Sequence, residues 1–273
     1  MTDERHDVQG RPPIRIGCAG WSIGSAHAEL VGEGESMLAR YATRFDAVEI
    51  NSSFYRPHQP KTYERWAASV PDDFRFSVKL PRTITHDARL VGGEDLLARF
   101  LGETAGLGQK LGGILVQLPP SLAFDAAVVD AFFEKLRALT DVPLACEPRH
   151  RSWFEASVSA LWARYDIARV AADPARVPDA RHVAGQGAWH YWRWHGSPRI
   201  YFSAYEDAEL QLLAQELIDH AAPGREPWCI LDNTAAGHAV TDAAKLQALC
   251  GVEPPGQFVP QRAAAPVQQA LGF

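Results

Sequence analysis

The chain has 273 residues, 47% of them hydrophobic, enough to bury one large core and suited to a single α/β barrel rather than two small domains. Its 33 acidic and 27 basic residues give a net charge of −6, which argues against duplex nucleic acid or an anionic membrane as a partner of the whole surface. No apolar run approaches the roughly 20 residues of a membrane span. The polar start Met1-Thr2-Asp3-Glu4-Arg5-His6-Asp7 also lacks the apolar region of a secretory signal, so a cytoplasmic protein is expected.

Residues 1–12 read as a disordered leader. An apolar run at 14–18 is followed by helical spacing at Met37, Leu38, Tyr41 and Phe45, and further runs occupy 47–51 and 74–79. Leu96, Leu97, Phe100, Leu101 and Leu107 form the next helical stripe before a run at 113–118; Val128, Val129, Phe132, Phe133, Leu136 and Leu139 precede the run at 143–147. Leu161, Trp162 and Tyr165 lead to 168–172. The stripe is weakest between Pro178 and Gly187, before the run at 189–195. Leu210, Leu213, Leu217 and Ile218 then precede 227–232, and Ala243, Leu246 and Leu249 close the series. Short, continuously apolar runs suit buried parallel strands, and eight of them alternating with helices predict a single (β/α)8 TIM-like barrel over 13–250. A doubly wound open sheet is the alternative. Residues 251–273, rich in Pro, Ala and Gln, read as a C-terminal tail. Cys18, Cys146, Cys229 and Cys250 show no metal or redox spacing and read as small apolar core residues.

A polar residue closes nearly every run. Glu49 and Asn51 end the second, Lys79 the third, Gln117 the fourth, Glu147 with Arg149 the fifth, Asp173 the sixth, Arg193 with His195 the seventh, and Asp232-Asn233 the last. Burying an unpaired ion costs several kcal/mol, so charges at apolar strand ends need partners, and a shared site supplies them. In a (β/α)8 barrel the carboxyl ends of the strands converge on one mouth, which gathers these residues although they are far apart in the chain.

The segments Val48-Glu49-Ile50-Asn51-Ser52-Ser53-Phe54-Tyr55, Phe76-Ser77-Val78-Lys79, Gln117-Leu118-Pro119-Pro120, Glu147-Pro148-Arg149-His150-Arg151-Ser152-Trp153 and Asp232-Asn233-Thr234 follow in that order over roughly residues 14–250. In them the chain resembles the domain-of-unknown-function 72 (YecE-like) family. The resemblance implies a TIM-like barrel and supplies no activity. Two departures bear on the site. The segment 22–36 is small, acidic and Gly-containing where relatives carry aromatics and Pro, and Asp232 stands where they tend to have an aromatic.

The functional expectation is an acid/base enzyme, an isomerase, lyase or hydrolase, acting on a small polar anionic or phosphorylated molecule. Glu49, Lys79, Glu147 and His195 are the expected catalytic groups. Asn51, His86, Gln117, Arg149, Asp173, Arg193 and Asn233 are expected to bind substrate, with Trp21, Tyr55, Trp153 and Tyr205 as loop aromatics able to stack on a ring. No cofactor is expected; Gly17 and Gly20 form no dinucleotide fingerprint. A divalent metal held by Glu49, Glu147, Asp173, His195 or Asp232 is the variant that would make the protein a phosphodiester hydrolase. A noncatalytic binding module for an anionic metabolite is the other alternative, because ion-pair networks perturb the same groups as active sites do. The sequence does not specify the oligomeric state.

Overall fold

The computed structural model describes residues 14–185 and 187–256; the leader expected at 1–12 and the tail beyond 256 lie outside the described residues. Nine parallel strands form one sheet: β1 (Arg15–Ala19), β2 (Ala47–Ile50), β3 (Arg75–Lys79), β4 (Leu111–Gln117), β5 (Leu144–Glu147), β6 (Ile167–Arg169), β7 (Ala171–Asp173), β8 (Trp189–Trp194) and β9 (Glu226–Leu231). Their order is β6-β5-β4-β3-β2-β1-β9-β8-β7. The count exceeds the expected eight because the sixth strand is split at Val170. Arg169, in register with Cys146 of β5, exchanges backbone hydrogen bonds with Ala184 rather than with β8. Its first half therefore pairs with β5 and its second with β8. The two ends of the sheet are consecutive pieces of one stretch of chain, so the wall is that of a nearly closed TIM-like barrel.

Helices α1 (Met37–Tyr41), α2 (Ser52–Tyr55), α3 (Pro60–Ala68), α4 (Glu94–Thr104), α5 (Ala126–Leu139), α6 (Ser159–Arg164), α7 (Asp207–His220) and α8 (His238–Cys250) pack outside the wall. Local chemistry sets their ends and faces. The Asp125 carboxylate accepts hydrogen bonds from the N–H groups of Ala127 and Val128 to start α5, which then buries Val129, Phe132, Phe133 and Leu136 along one stripe. Helix α7 starts with a reciprocal bond pair between Glu206 and Glu209. The weak stripe after Pro178 yields only the single turn Pro178–Arg181. Among the described residues no helix is long and apolar enough to cross a membrane.

Strand alternation divides the core in two. Ile16, Val48, Val78, Ile114 and Cys146 face the helices, whereas Ala47, Leu115, Ala145, Trp189, Tyr191, Trp228 and Ile230 fill the barrel interior. Trp189 and Trp228 meet edge to face, with ring centroids 5.5 Å apart, and plug the amino-terminal end. Gly112 and Gly113 make room for them: a Cβ at Gly113 would sit 2.3 Å from the Trp189 ring and one at Gly112 2.6 Å from the Trp228 ring. This floor keeps water from reaching the polar layer from below, which strengthens every electrostatic interaction within that layer.

Candidate functional site

Above the floor, the interior positions of successive strands turn polar. Glu49, Ser77, Lys79, Gln117, Glu147, Arg193 and Asp232 continue the inward alternation, and His195 follows on from β8. Arg193 is their hub and is fully buried. Its Nε donates to Glu49 Oε2 at 2.9 Å and its Nη2 to Glu49 Oε1 at 2.8 Å, a bidentate pair. Its Nη1 reaches Glu147 Oε2 at 2.5 Å, and Nη2 also reaches Asp232 Oδ2 at 3.1 Å. Tyr191 donates its hydroxyl to Glu49 Oε2 at 2.9 Å and stands 2.6 Å from the Ser77 hydroxyl. Burial alone would push the Arg193 guanidinium toward neutrality, but Glu49, Glu147 and Asp232 hold its pKa well above the ordinary value.

Glu49 is thus consumed by Arg193 and Tyr191, with no exposed surface. Glu147 is shared more widely. Its Oε1 accepts from Arg149 Nε at 2.8 Å and from Gln117 Nε2 at 3.3 Å, and lies 3.3 Å from His195 Nε2. Burial opposes its charge, yet Arg149, Arg193 and His195 keep its carboxyl well below the usual range. The His195 Nδ1 pairs with Asp232 Oδ2 at 2.9 Å. Its Nε2 is near Glu147 but not aligned for a hydrogen bond with it. Burial disfavours the imidazolium; Glu147 and Asp232 outweigh that and raise the His195 pKa, while Asp232 is lowered despite its burial by Arg193 and His195.

Lys79 differs. It is buried, and among the described residues its amine makes no hydrogen bond or ion pair; its Nζ lies 4.1 Å from the centroid of the Phe54 ring. Burial, reinforced by Arg193, brings its pKa down to about 8 against the pull of Glu49, Glu147 and Asp232.

Glu147, Arg149, His195 and Tyr201 are among the residues lining a cavity of about 120 Å³ at the carboxyl ends of β5 and β8, together with Pro174 and Arg176. Arg149 keeps its two Nη atoms free of protein hydrogen bonds among the described residues, since only its Nε is used. His86 is half-buried, edge-on to Phe54, with its Nδ1 2.9 Å from the Thr85 hydroxyl. Burial, then Lys79 and Arg149, lowers its pKa. Tyr55 is 74% exposed and lines a separate apolar cavity of about 130 Å³ with Phe54, Leu96 and Phe100.

Other expected site residues lie elsewhere. Asp173 shares the outward alternation of Ala171; it accepts from the Tyr205 hydroxyl at 3.0 Å and from Arg181. Asn233, one residue past the inward Asp232, donates to Ser203 and Asp242. Tyr205 is buried and ties Gly196 to Asp173, and Trp153 is fully buried with its indole N–H on the Leu122 carbonyl. Trp21 packs edge-on against Trp66 of α3. Asn51 has left the strand: helix α2 starts from it, and its Oδ1 is buried with no partner among the described residues. Trp153, Asp173, Tyr205 and Asn233 are thus engaged in packing and hydrogen bonds away from Arg193, and Trp21 remains half-buried beside Trp66. The sequence reading passed over Tyr191 and Ser77, both of which share the parity of residues it did name, Arg193 and Lys79, and over Phe54.

The expected metal set does not fit a divalent ion. Glu49, Glu147 and Asp232 each direct at least one oxygen at Arg193, Asp173 faces away, and among the described residues no group of three or more His, Cys, Asp or Glu is arranged for a metal.

A family model described as "Protein of unknown function DUF72" matches residues 15–269. The chain belongs to the DUF72 family. Within it the chain is similar to UPF0759 protein YecE of Escherichia coli, at 34% identity over 142 residues; that match covers 52% of this chain and half the length of the E. coli protein. It is also similar to UPF0759 protein YunF of Bacillus subtilis, at 24% identity over 88% of this chain and 95% of that protein. Solved DUF72 structures share the fold. The one from Enterococcus faecalis superposes with a TM-score of 0.75 at 22% identity over 91% of this chain and 99% of that one, and the one from Thermotoga maritima with 0.73 at 23% identity over 87% and 99%.

Proposed function

We propose that this DUF72 protein is an acid/base enzyme acting on a small anionic molecule at the carboxyl ends of the strands, with His195 as the proton-transferring group. One observation carries the reading: the His195 ring, fixed at Nδ1 by Asp232, lines the same cavity as the unbonded Nη atoms of Arg149. A histidine oriented by a carboxylate has a set tautomer and direction, which general acid/base catalysis needs. The free Arg149 fork suits a carboxylate or phosphate, bound through charge-assisted bonds. Charge balance agrees: Arg149, Arg193 and a protonated His195 offset Glu49, Glu147 and Asp232, so an anion meets no net negative charge from these groups.

The cavity suits a substrate of a few heavy atoms and excludes a nucleic acid duplex. Glu49 and Arg193 hold the wall rather than act on substrate. The four cysteines are free thiols, in keeping with a reducing cytoplasm.

The test begins with thermal shifts against small carboxylates and phosphates, where a ligand at 100 times its Kd stabilises by about 2.7 kcal/mol. Turnover of the ligands so found is then compared between wild type and His195→Gln. A loss of about 10²-fold or more in the variant is expected for a general acid/base group. Binding without turnover in the wild type supports the second reading, a noncatalytic anion-binding module, which the saturated pairing of Arg193 favours.

A further inference from the structure

We propose that Lys79 is a nucleophile that condenses with the carbonyl group of a small aldehyde or ketone bearing a carboxylate, forming an imine in the barrel mouth. The inference rests on the anion-binding part of the proposed function and adds the substrate class.

The chain contains five lysines, and their environments differ sharply. Lys110 is bonded to the Ala67 and Val70 carbonyls and to Asp72; Lys135 is paired with Glu94 and Lys245 with Asp207. Lys61 is exposed on α3. Lys79 alone combines burial, at 7% exposure, with the lack of a hydrogen-bond or ion-pair partner among the described residues. Such an arrangement is costly for an ammonium group and suits a neutral amine.

Its surroundings account for the missing partner. The carboxylates that could pair with Lys79 are already held, Glu49, Glu147 and Asp232 by Arg193, and Glu147 by Arg149 as well. Arg193 adds positive charge within electrostatic reach. The Phe54 ring covers the amine on one side. With its pKa brought down to about 8, an appreciable fraction of the amine is unprotonated near neutral pH, which nucleophilic attack requires. Lys79 and Glu147 end β3 and β5 with Gln117 of β4 between them, and Gln117 and Arg149 both bond Glu147, which sets the amine and the free guanidinium fork at the same carboxyl end of the barrel.

The step balances without a further reactant. The Nζ lone pair forms a C–N bond to the carbonyl carbon as the C=O π pair moves to oxygen, giving a carbinolamine. The oxygen then leaves as water with the two amine hydrogens, and the C=N bond forms.

The experiment treats the full chain with glyoxylate or with neutral acetaldehyde in the presence of sodium cyanoborohydride, and maps the reduced adducts by peptide mass spectrometry. Lys61, Lys110, Lys135 and Lys245 serve as internal controls. The expected result is glyoxylate labelling of Lys79 at least about tenfold faster than of Lys61, as for a desolvated, activated amine, with acetaldehyde slower at Lys79 and inorganic phosphate suppressing the glyoxylate reaction. In Lys79→Arg, checked for folding by circular dichroism, labelling should fall to the rate of the surface lysines. Labelling of Lys79 no faster than of Lys61 overturns the proposal; the mapping uses the wild-type chain, so this outcome does not depend on the variant's folding. Equal rates with glyoxylate and acetaldehyde overturn the anionic substrate class. A fast Lys79 adduct in a protein without His195-dependent turnover upholds the imine and rejects the acid/base assignment, whereas turnover with an inert Lys79 does the reverse.

Discussion

The β8 side and the β3 side of the mouth each bury a basic side chain, and the two are treated oppositely. Arg193 is bonded to three carboxylates and a bidentate fork fixes it in place, while Lys79 meets only an aromatic ring. The first arrangement closes the barrel across β2, β5, β8 and β9. The second leaves a polar group without a structural task. Arg149, Gln117 and His195 stand between them, partly committed to Glu147 and partly facing the cavity. Charge in this interior is therefore of two kinds, saturated groups that brace the wall and unsaturated ones to which the proposed function assigns the site.

Removing the strut should produce the largest effect. Arg193→Met leaves Glu49, Glu147 and Asp232 buried without their shared cation, and a loss of about 3–5 kcal/mol is expected from a broken buried pair. Thermal unfolding followed by circular dichroism should fall by about 10 °C, from the usual 2–4 °C per kcal/mol at this size. A melting temperature within a degree or two of wild type would show that the three carboxylates do not depend on Arg193.

Tyr205→Phe tests the outward-facing set at the same strand ends. It deprives the Gly196 N–H and Asp173 of their buried partner, at about 1–3 kcal/mol, and should leave ligand affinity unchanged. A ligand defect in a fully stable variant would return Tyr205 to the site.

The pH dependence follows from opposite shifts. His195 has a raised pKa, so its contribution is fully present below the unfolded value of about 6.5 and is lost as pH rises through the higher folded value. Glu147 and Asp232 have lowered pKa values; their contributions are present above the unfolded values near 4 and are lost as pH falls through the folded ones. These three groups together favour mildly acidic pH, between about 4.5 and 6.5, while His86 and His190, with lowered pKa values, oppose them by costing stability as pH falls below about 6.5; His195→Gln should flatten the alkaline limb. An unaltered alkaline limb in the variant would mean that His195 does not carry the linkage.

Lys79→Met should have the smallest effect on stability, within about 1 kcal/mol of wild type or slightly stabilising, because no partner is left unpaired. A loss of about 3 kcal/mol or more, the size of a broken buried pair, would make Lys79 a second strut and erase the contrast with Arg193.

How much of this was legible in the sequence depended on whether strand parity could be read. In the run Tyr191-Trp192-Arg193-Trp194-His195 polar and apolar residues alternate, so the inward set declares itself. In Trp228-Cys229-Ile230-Leu231 both faces are apolar, as expected for a strand buried on two sides. The sequence there does not say whether Asp232 or Asn233 turns inward, and the structure chooses Asp232. The sixth run posed the same problem: Asp173 closes it but points away with Ala171. The eight βα units were visible from apolar runs alone, whereas the break at Val170 was not, because it arises from the bridge of Arg169 to Ala184 in a later loop. The loop aromatics could not be sorted either. Trp153 and Tyr55 have equal reason to stack on a ligand until packing shows one fully buried and the other 74% exposed.

The unsaturated side of the mouth is tested most directly by isothermal titration of phosphate at low ionic strength into wild type and Arg149→Met. Binding by the wild type is predicted, weakened by about tenfold or more in the variant, equivalent to at least about 1.4 kcal/mol. No detectable binding by the wild type, or equal affinity in a folded Arg149→Met, would contradict an anion site built on the free Arg149 fork.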